Sequence, residues 1–132
     1  MDQNVLVSSG HTLVKALDAA GLAPRIAIWV HGLDDDSWRL WIVPPSEVDD
    51  KREFYGRLSE VISKHRAELG DLSAGDIEMA SANHPAMAGI GRHFPMEGLG
   101  SAPFSGNRFN GFYLPAGIIL RATLPEEAPQ PT

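Results

Sequence analysis

Apolar residues recur at helical spacing near the start of the chain and then alternate with polar ones over two short segments. The helical spacing predicts a helix over residues 10–20, and Gly21 is placed to end it. Residues 26–31 and 38–43 are rich in β-branched and aromatic side chains and flank an acidic turn. This pattern predicts a β-hairpin, and the first strand is apolar on both faces, which is typical of a central strand.

A second helix is predicted over residues 50–69. Asp50 is suited to accept a hydrogen bond from the backbone amide of Glu53, which is a common way for a helix to begin. Gly70 follows the last residue of the pattern and is expected to end the helix. One stripe of side chains recurs every three or four residues and is expected to be buried: Phe54, Leu58, Val61, Ile62, His65 and Leu69.

The rest of the chain predicts shorter elements. Residues 76–80 alternate as in a strand, and Pro85 favours the start of a short helix that reaches Ile90. Three strand-like segments follow, at residues 102–105, 109–114 and 118–124. A tight turn at residues 115–117 is expected to join the last two, because proline and glycine favour turns.

This order of elements predicts an α+β fold in a single domain, residues 1–124. We expect a mainly antiparallel sheet of about five strands, with two main helices and one short helix packed on one face. A parallel, doubly wound sheet fits poorly, because neighbouring strands are joined by short turns. Residues 125–132 are rich in proline and glutamate and predict a disordered tail.

Composition narrows the classes of partner. The chain has 132 residues, a formal net charge of −6 and no cysteine. The negative charge opposes binding to nucleic acid or to an anionic membrane, since both depend on a surplus of Lys and Arg. The lack of cysteine excludes disulfides and thiol catalysis. It also agrees with a cytoplasmic location, and the apolar runs predict neither a signal peptide nor a membrane anchor.

No cofactor or metal site is predicted. His84 and His93 are nine residues apart, so on one helix they would point in opposite directions. The acidic turn at residues 34–36 lacks the alternating acidic spacing and the distal glutamate of a calcium loop. The glycine-rich segments 89–91 and 98–100 complete no phosphate-binding motif.

Residues 105–113 concentrate amide side chains, glycines and aromatic residues just before an apolar run. One interpretation is structural: the asparagines bond within their own loop and the aromatic residues pack. The other interpretation is a recognition surface, with directional hydrogen bonds and a rigid aromatic contact. The residues expected to form that interface are Asn107, Arg108, Asn110 and Tyr113.

The same third of the chain also permits a small pocket with chemistry of its own. His84 or His93 would act as acid or base, Arg92 or Arg108 would hold an anion, and Ser101 or Ser105 would supply a hydroxyl. Three arginines lie between residues 83 and 124 against the single acid Glu97, which favours an anionic ligand or an acidic partner. No motif completes a catalytic set.

Two hypotheses on function therefore stay open. The leading one is a small cytosolic protein-binding domain, of the accessory, inhibitor or immunity type, with no catalytic activity of its own. It would contact a protein of unknown identity through the first hairpin and residues 105–113. The alternative is a small enzyme or a protein that binds an anionic small ligand. Pairing of two copies through an exposed strand edge is a further expectation to test.

Overall fold

The structure, a computed structural model, describes residues 3–32, 37–48, 50–70, 72–96 and 98–123, except for the side chain of His93. The helices are α1 (Gln3–Ala19), α2 (Lys51–Lys64), α3 (Arg66–Leu69) and α4 (Pro85–His93), with a 3-10 turn at Ala74–Asp76. The strands are β1 (Ile26–His31), β2 (Trp38–Val43), β3 (Ile77–Met79), β4 (Ala102–Phe109) and β5 (Phe112–Ala122). The expected tail lies outside the described residues.

The five strands form one sheet in the order β3-β2-β1-β5-β4. The pairs β1–β2, β1–β5 and β4–β5 are antiparallel, and β2–β3 is parallel. The parallel pair arises because α2 and α3 carry the chain back along the sheet between β2 and β3. The predicted α+β fold with a mostly antiparallel sheet is confirmed, and β1 is the central strand.

Two apolar layers cover opposite faces of this sheet. Ala27 and Trp29 of β1 pack in one layer with α1 and α2, whereas Ile28 and Val30 pack in the other with α4. The expectation that all helices share one face is therefore wrong for α4. The physical reason lies in β1 itself, which is apolar on both sides and needs a cover on each.

Helix α1 begins seven residues earlier than predicted. Its first turns are fixed by tertiary contacts: Leu6 is fully buried, and its carbonyl oxygen accepts a hydrogen bond of 2.7 Å from Trp29 Nε1. Gly10 lies inside the helix, where a Cβ would stand 2.9 Å from the same nitrogen. The Thr12 hydroxyl bonds back to the Ser8 carbonyl and does not cap a helix start.

Helix α2 begins as predicted, with the Asp50 carboxylate accepting from the amide of Glu53 at 3.1 Å. It ends earlier than predicted, because His65 interrupts the helix before the short α3. The side chain of His65 is 40% exposed and lies 3.6 Å from the carboxylate of Glu68. His65 is thus a half-exposed junction residue, and its assignment to the buried stripe is wrong.

The turn expected at residues 115–117 is also wrong, because these residues lie inside β5. The chain turns instead at Asn110 and Gly111, which have φ angles of 56° and 85°. These are the positive values that a two-residue type I′ hairpin turn requires, and Asn-Gly is the dipeptide that adopts them most readily. Helix α4 begins at Pro85 as predicted and extends past Ile90 to His93.

Candidate binding surface at the second hairpin

The hairpin of β4 and β5 changes faces part-way along its length. Ile118 and Leu120 belong to the layer of α1 and α2, so strict alternation would place Leu114 there as well. Leu114 is instead buried in the α4 layer. The exchange falls at Gly106, which has a φ of 61° and by register faces Pro115. The outer end of the hairpin therefore turns toward α4.

Helix α4 supports this end of the hairpin at close range. A Cβ on Gly89 would lie 3.0 Å from the amide nitrogen of Asn110 and 3.0 Å from the carbonyl carbon of Phe109. Only glycine allows the two backbones to approach so closely. Phe109 is buried between the rings of Phe94 and Phe104, which meet it edge to face at 5.4 and 5.0 Å. The hairpin end thus has a packed apolar base.

Arg108 and Tyr113 form a cross-strand pair on this hairpin end. The guanidinium carbon of Arg108 lies 5.7 Å from the centre of the Tyr113 ring, which is within cation–π range. Tyr113 is 41% exposed, and its neighbour Phe112 is 37% exposed. We call the surface formed by Arg108, Asn110, Phe112 and Tyr113 the hairpin-end surface.

All four residues predicted as an interface lie on this one hairpin. Asn107 pairs with Leu114 and is half-buried, so it belongs to the base of the hairpin more than to its surface. Asn110 is exposed and makes the turn through its positive φ. Arg108 and Tyr113 lie side by side across the strands. A partner that contacts them stays a prediction.

Phe112 extends the hairpin-end surface toward a second aromatic group. The ring of His84 lies 4.7 Å from Phe112 and 5.5 Å from Trp41, edge to face with both. His84 Nδ1 accepts a hydrogen bond of 3.1 Å from the amide of Ala86 and so caps α4. Burial lowers the pKa of His84 from its ordinary value, which favours the neutral ring that this acceptor role requires.

Two residues of the predicted pocket, His84 and Arg92, lie apart along α4. His84 precedes α4, and Arg92 lies in the last turn of the same helix, about 12 Å further along its axis at 1.5 Å per residue. Ser105 is exposed on β4, opposite Ala116. The side chain of His93 lies outside the described part of the structure. Shared chemistry among these four residues stays a prediction.

The three arginines of the carboxy-terminal third do not form one patch. Arg121 makes two hydrogen bonds to the carboxylate of Asp18, at 2.8 and 2.9 Å, and ties β5 to α1. The hydrogen bonds to Asp18 raise the pKa of Arg121 further above its ordinary value. Arg121 is therefore a structural cation. Arg92 and Arg108 are exposed on α4 and on the hairpin.

The first hairpin is expected to form a second contact region. In the structure, the tryptophans of its two strands mainly pack against the core. Trp29 is buried, and Trp38 and Trp41 are half-buried on opposite faces, as the alternation predicts. The acidic turn that joins the strands lies outside the described residues. The residues predicted for the interface do not include Phe112, which the structure leaves exposed. The Asn-Gly dipeptide carried the signal, since a turn there places Phe112 beside it.

The described ranges include two broad grooves away from the second hairpin. One lies between α1 and α2 and includes Arg57 and His65. The other, of about 610 Å³, lies beside Lys51 and Ser81. Neither is lined by the hairpin-end surface or by the residues of the predicted pocket. Across the same ranges, no helix is long and apolar enough to cross a membrane, and no group of three potential metal ligands is present.

Comparison with protein-family models, with curated protein sequences and with solved structures finds no match for this chain.

Proposed function

We propose that this protein is a binding domain that contacts another protein through the hairpin-end surface. The observation that carries the proposal is the pair of Arg108 and Tyr113, stacked across two strands and left open to solvent. Tyrosine and arginine dominate the binding energy of many protein interfaces, because each joins a large contact area to directional polar groups. An adjacent exposed phenylalanine enlarges the apolar part of the surface.

Rigidity of the hairpin end supports this proposal. The type I′ turn at Asn110 and Gly111 fixes the backbone, and Gly89 and Phe109 join the hairpin to α4. A surface that is already ordered loses little conformational entropy when a partner binds. Its side chains are thus better suited to an interface than those of a loop that must order first.

Charge gives the expected partner a chemical character. Residues 98–123 contain two arginines and no Asp or Glu, although the whole chain has a net charge of −6. The hairpin end therefore offers a positive group beside aromatic rings, with no carboxylate of its own strands nearby. A protein partner with a carboxylate beside apolar side chains would complement the hairpin-end surface. The negative charge of the remaining chain opposes binding to nucleic acid.

An accessory, inhibitor or immunity-type role in the cytoplasm, without catalysis by this chain, is the function that we propose for such a surface. Enzymes need acid, base and charge-stabilising groups around one point. The separation of His84 from Arg92 along α4 gives that alternative less support.

The test is affinity purification of the tagged protein from its native cells, with quantitative comparison of three forms. The double variant Arg108→Ala, Tyr113→Ala removes the stacked pair. We expect it to lose a partner that the wild-type protein retains, since removal of one strong interface residue weakens binding by about 2 kcal/mol, or roughly 30-fold.

The matched control is Val5→Ala, Arg52→Ala, which removes an exposed apolar residue and an exposed arginine from α1 and α2. It should retain the same partner, and thermal unfolding should show that both variants fold. A partner bound equally by all three forms would show that the hairpin-end surface is not the interface.

A further inference from the structure

We infer that His84 is a pH-sensitive switch for the hairpin-end surface: its neutral ring holds Phe112 in place, and protonation of the ring releases Phe112. His84 precedes α4 and its ring also contacts the second hairpin, so one side chain joins the two elements. The effect on a partner rests on the function proposed above, whereas the effect on Phe112 is a property of this chain alone.

The cap of α4 requires a neutral ring. His84 Nδ1 accepts a hydrogen bond of 3.1 Å from the amide of Ala86, and a backbone amide is always a donor. Nδ1 must therefore keep its lone pair, so the proton of the ring lies on Nε2. A protonated imidazole carries hydrogen on both nitrogens and accepts from neither. Protonation thus breaks the cap and moves the ring.

The same ring supports Phe112. The centre of the His84 ring lies 4.7 Å from that of Phe112 and 5.5 Å from that of Trp41, edge to face with both. Trp41 belongs to β2 and packs on the α4 layer. Phe112 is 37% exposed, so its contact with His84 lies on the side turned toward the molecule. A ring that leaves this place removes a neighbour from Phe112.

The charged groups on the surrounding elements do not offset protonation of His84. Glu78 lies on β3, but its carboxylate is 3.9 Å from the guanidinium of Arg39 on β2. Arg108 on the hairpin and Arg92 in the last turn of α4 are both positive and oppose a second cation. The ion pairs among the described residues do not include His84.

The direction of the switch follows from burial. Burial lowers the pKa of His84 in the capped state. A ring released into water returns toward the ordinary value of about 6.5. The released state therefore binds the proton more tightly, and its population rises as the pH falls below about 6.5. Above that pH the capped state is favoured and His84 contributes no pH dependence.

The test on the protein alone is NMR spectroscopy of the isotope-labelled full chain between pH 8 and pH 5. The ring protons of His84 report its titration directly. We expect the ring signals of Phe112 and the amide signals of residues 111–114 to shift with the same midpoint as His84, at a pH below 6.5.

Two variants make this test specific. His84→Asn keeps a capping side chain that does not titrate, so it should abolish the pH-dependent shift of Phe112. His65→Asn removes the half-exposed histidine at the junction of α2 and α3 and should leave that shift unchanged. Phe112 signals that do not titrate, or that titrate alike in all three forms, would overturn the switch.

Affinity purification at pH 7.5 and at pH 5.5 tests the effect on a partner. The wild-type protein should retain about fivefold less partner at the lower pH, and His84→Asn should retain equal amounts at both. A partner that requires Arg108 and Tyr113 but is retained equally at both values by the wild-type protein would overturn the coupling and leave the proposed function standing. If no partner requires that pair, the proposed function fails, and the NMR titration still decides the switch.

Discussion

Gly117 and Gly56 show how differently two glycines act in one fold. A Cβ on Gly117 would lie 2.5 Å from the carbonyl oxygen of Trp29 and would also collide with the ring of Phe104. Gly117 is therefore required where β5 passes β1 beneath an aromatic side chain. Gly56 lies in α2 with no atom within 4 Å of its would-be Cβ, so its main effect is to loosen the helix.

The same substitution is expected to have opposite effects at these two positions. Gly117→Ala should lower the free energy of unfolding by about 1–3 kcal/mol, because backbone or ring must shift to admit the methyl group. Gly56→Ala should raise it by about 0.5–1 kcal/mol, because alanine favours the helix. Urea denaturation measures both, and equal effects at the two sites would contradict the tight approach at Gly117.

At the scale of the element, α4 connects the two aromatic groups beneath the second hairpin. Its start is capped by His84, whose ring also contacts Trp41 and Phe112. Its last residues precede Phe94, which packs edge to face on Phe109. A substitution of His84 is thus expected to alter the hairpin-end surface through the contact between His84 and Phe112.

The cap makes a prediction about pH. Burial lowers the pKa of His84 below its ordinary value of 6.5, so in the window just below that value the unfolded chain binds a proton that the folded chain resists. Folding stability should therefore fall as pH drops below about 6.5, and His84 should contribute no pH dependence above it. His84→Asn keeps a good capping side chain that does not titrate.

Urea denaturation between pH 5 and pH 8 checks this expectation. The wild-type protein should lose more stability than His84→Asn between pH 7 and pH 5. Parallel stability curves for the two proteins would show that the cap does not resist protonation.

At the scale of the whole molecule, one sheet serves two apolar layers. Neighbouring residues of β5 belong to different layers: Ile119 packs toward α4 and Leu120 packs toward α1. Every strand of the shared sheet is hydrogen-bonded to its neighbours. Unfolding of either layer therefore disrupts the sheet against which the other layer packs. The two layers are therefore expected to unfold together.

Ile119→Ala and Leu120→Ala test this coupling. Each should lower the free energy of unfolding by about 2–5 kcal/mol, through lost burial and the cavity left behind. Tryptophan fluorescence in a Trp41→Phe background reports on the α1 layer through Trp29 and Trp38. That signal and far-UV circular dichroism should give the same transition midpoint for each variant. Separate midpoints would show that one layer unfolds before the other.

Periodicity in the sequence by itself determined the first hairpin, the centre of α2, the central place of β1 and the mainly antiparallel sheet. These features follow from local patterns, because burial on one or both faces sets which positions are apolar. The Asn-Gly turn was also encoded locally, but the Pro and Gly at positions 115 and 117 competed with it as a turn signal.

The tertiary structure alone decided the start of α1, the face taken by α4 and the exchange of faces at Gly106. Each depends on residues far apart in the chain: Trp29 bonds to Leu6, and Gly89 meets Phe109. The helix and strand propensities of single residues do not predict such long-range contacts. Only the packed chain brings their side chains within contact distance, and contact distance sets their energies.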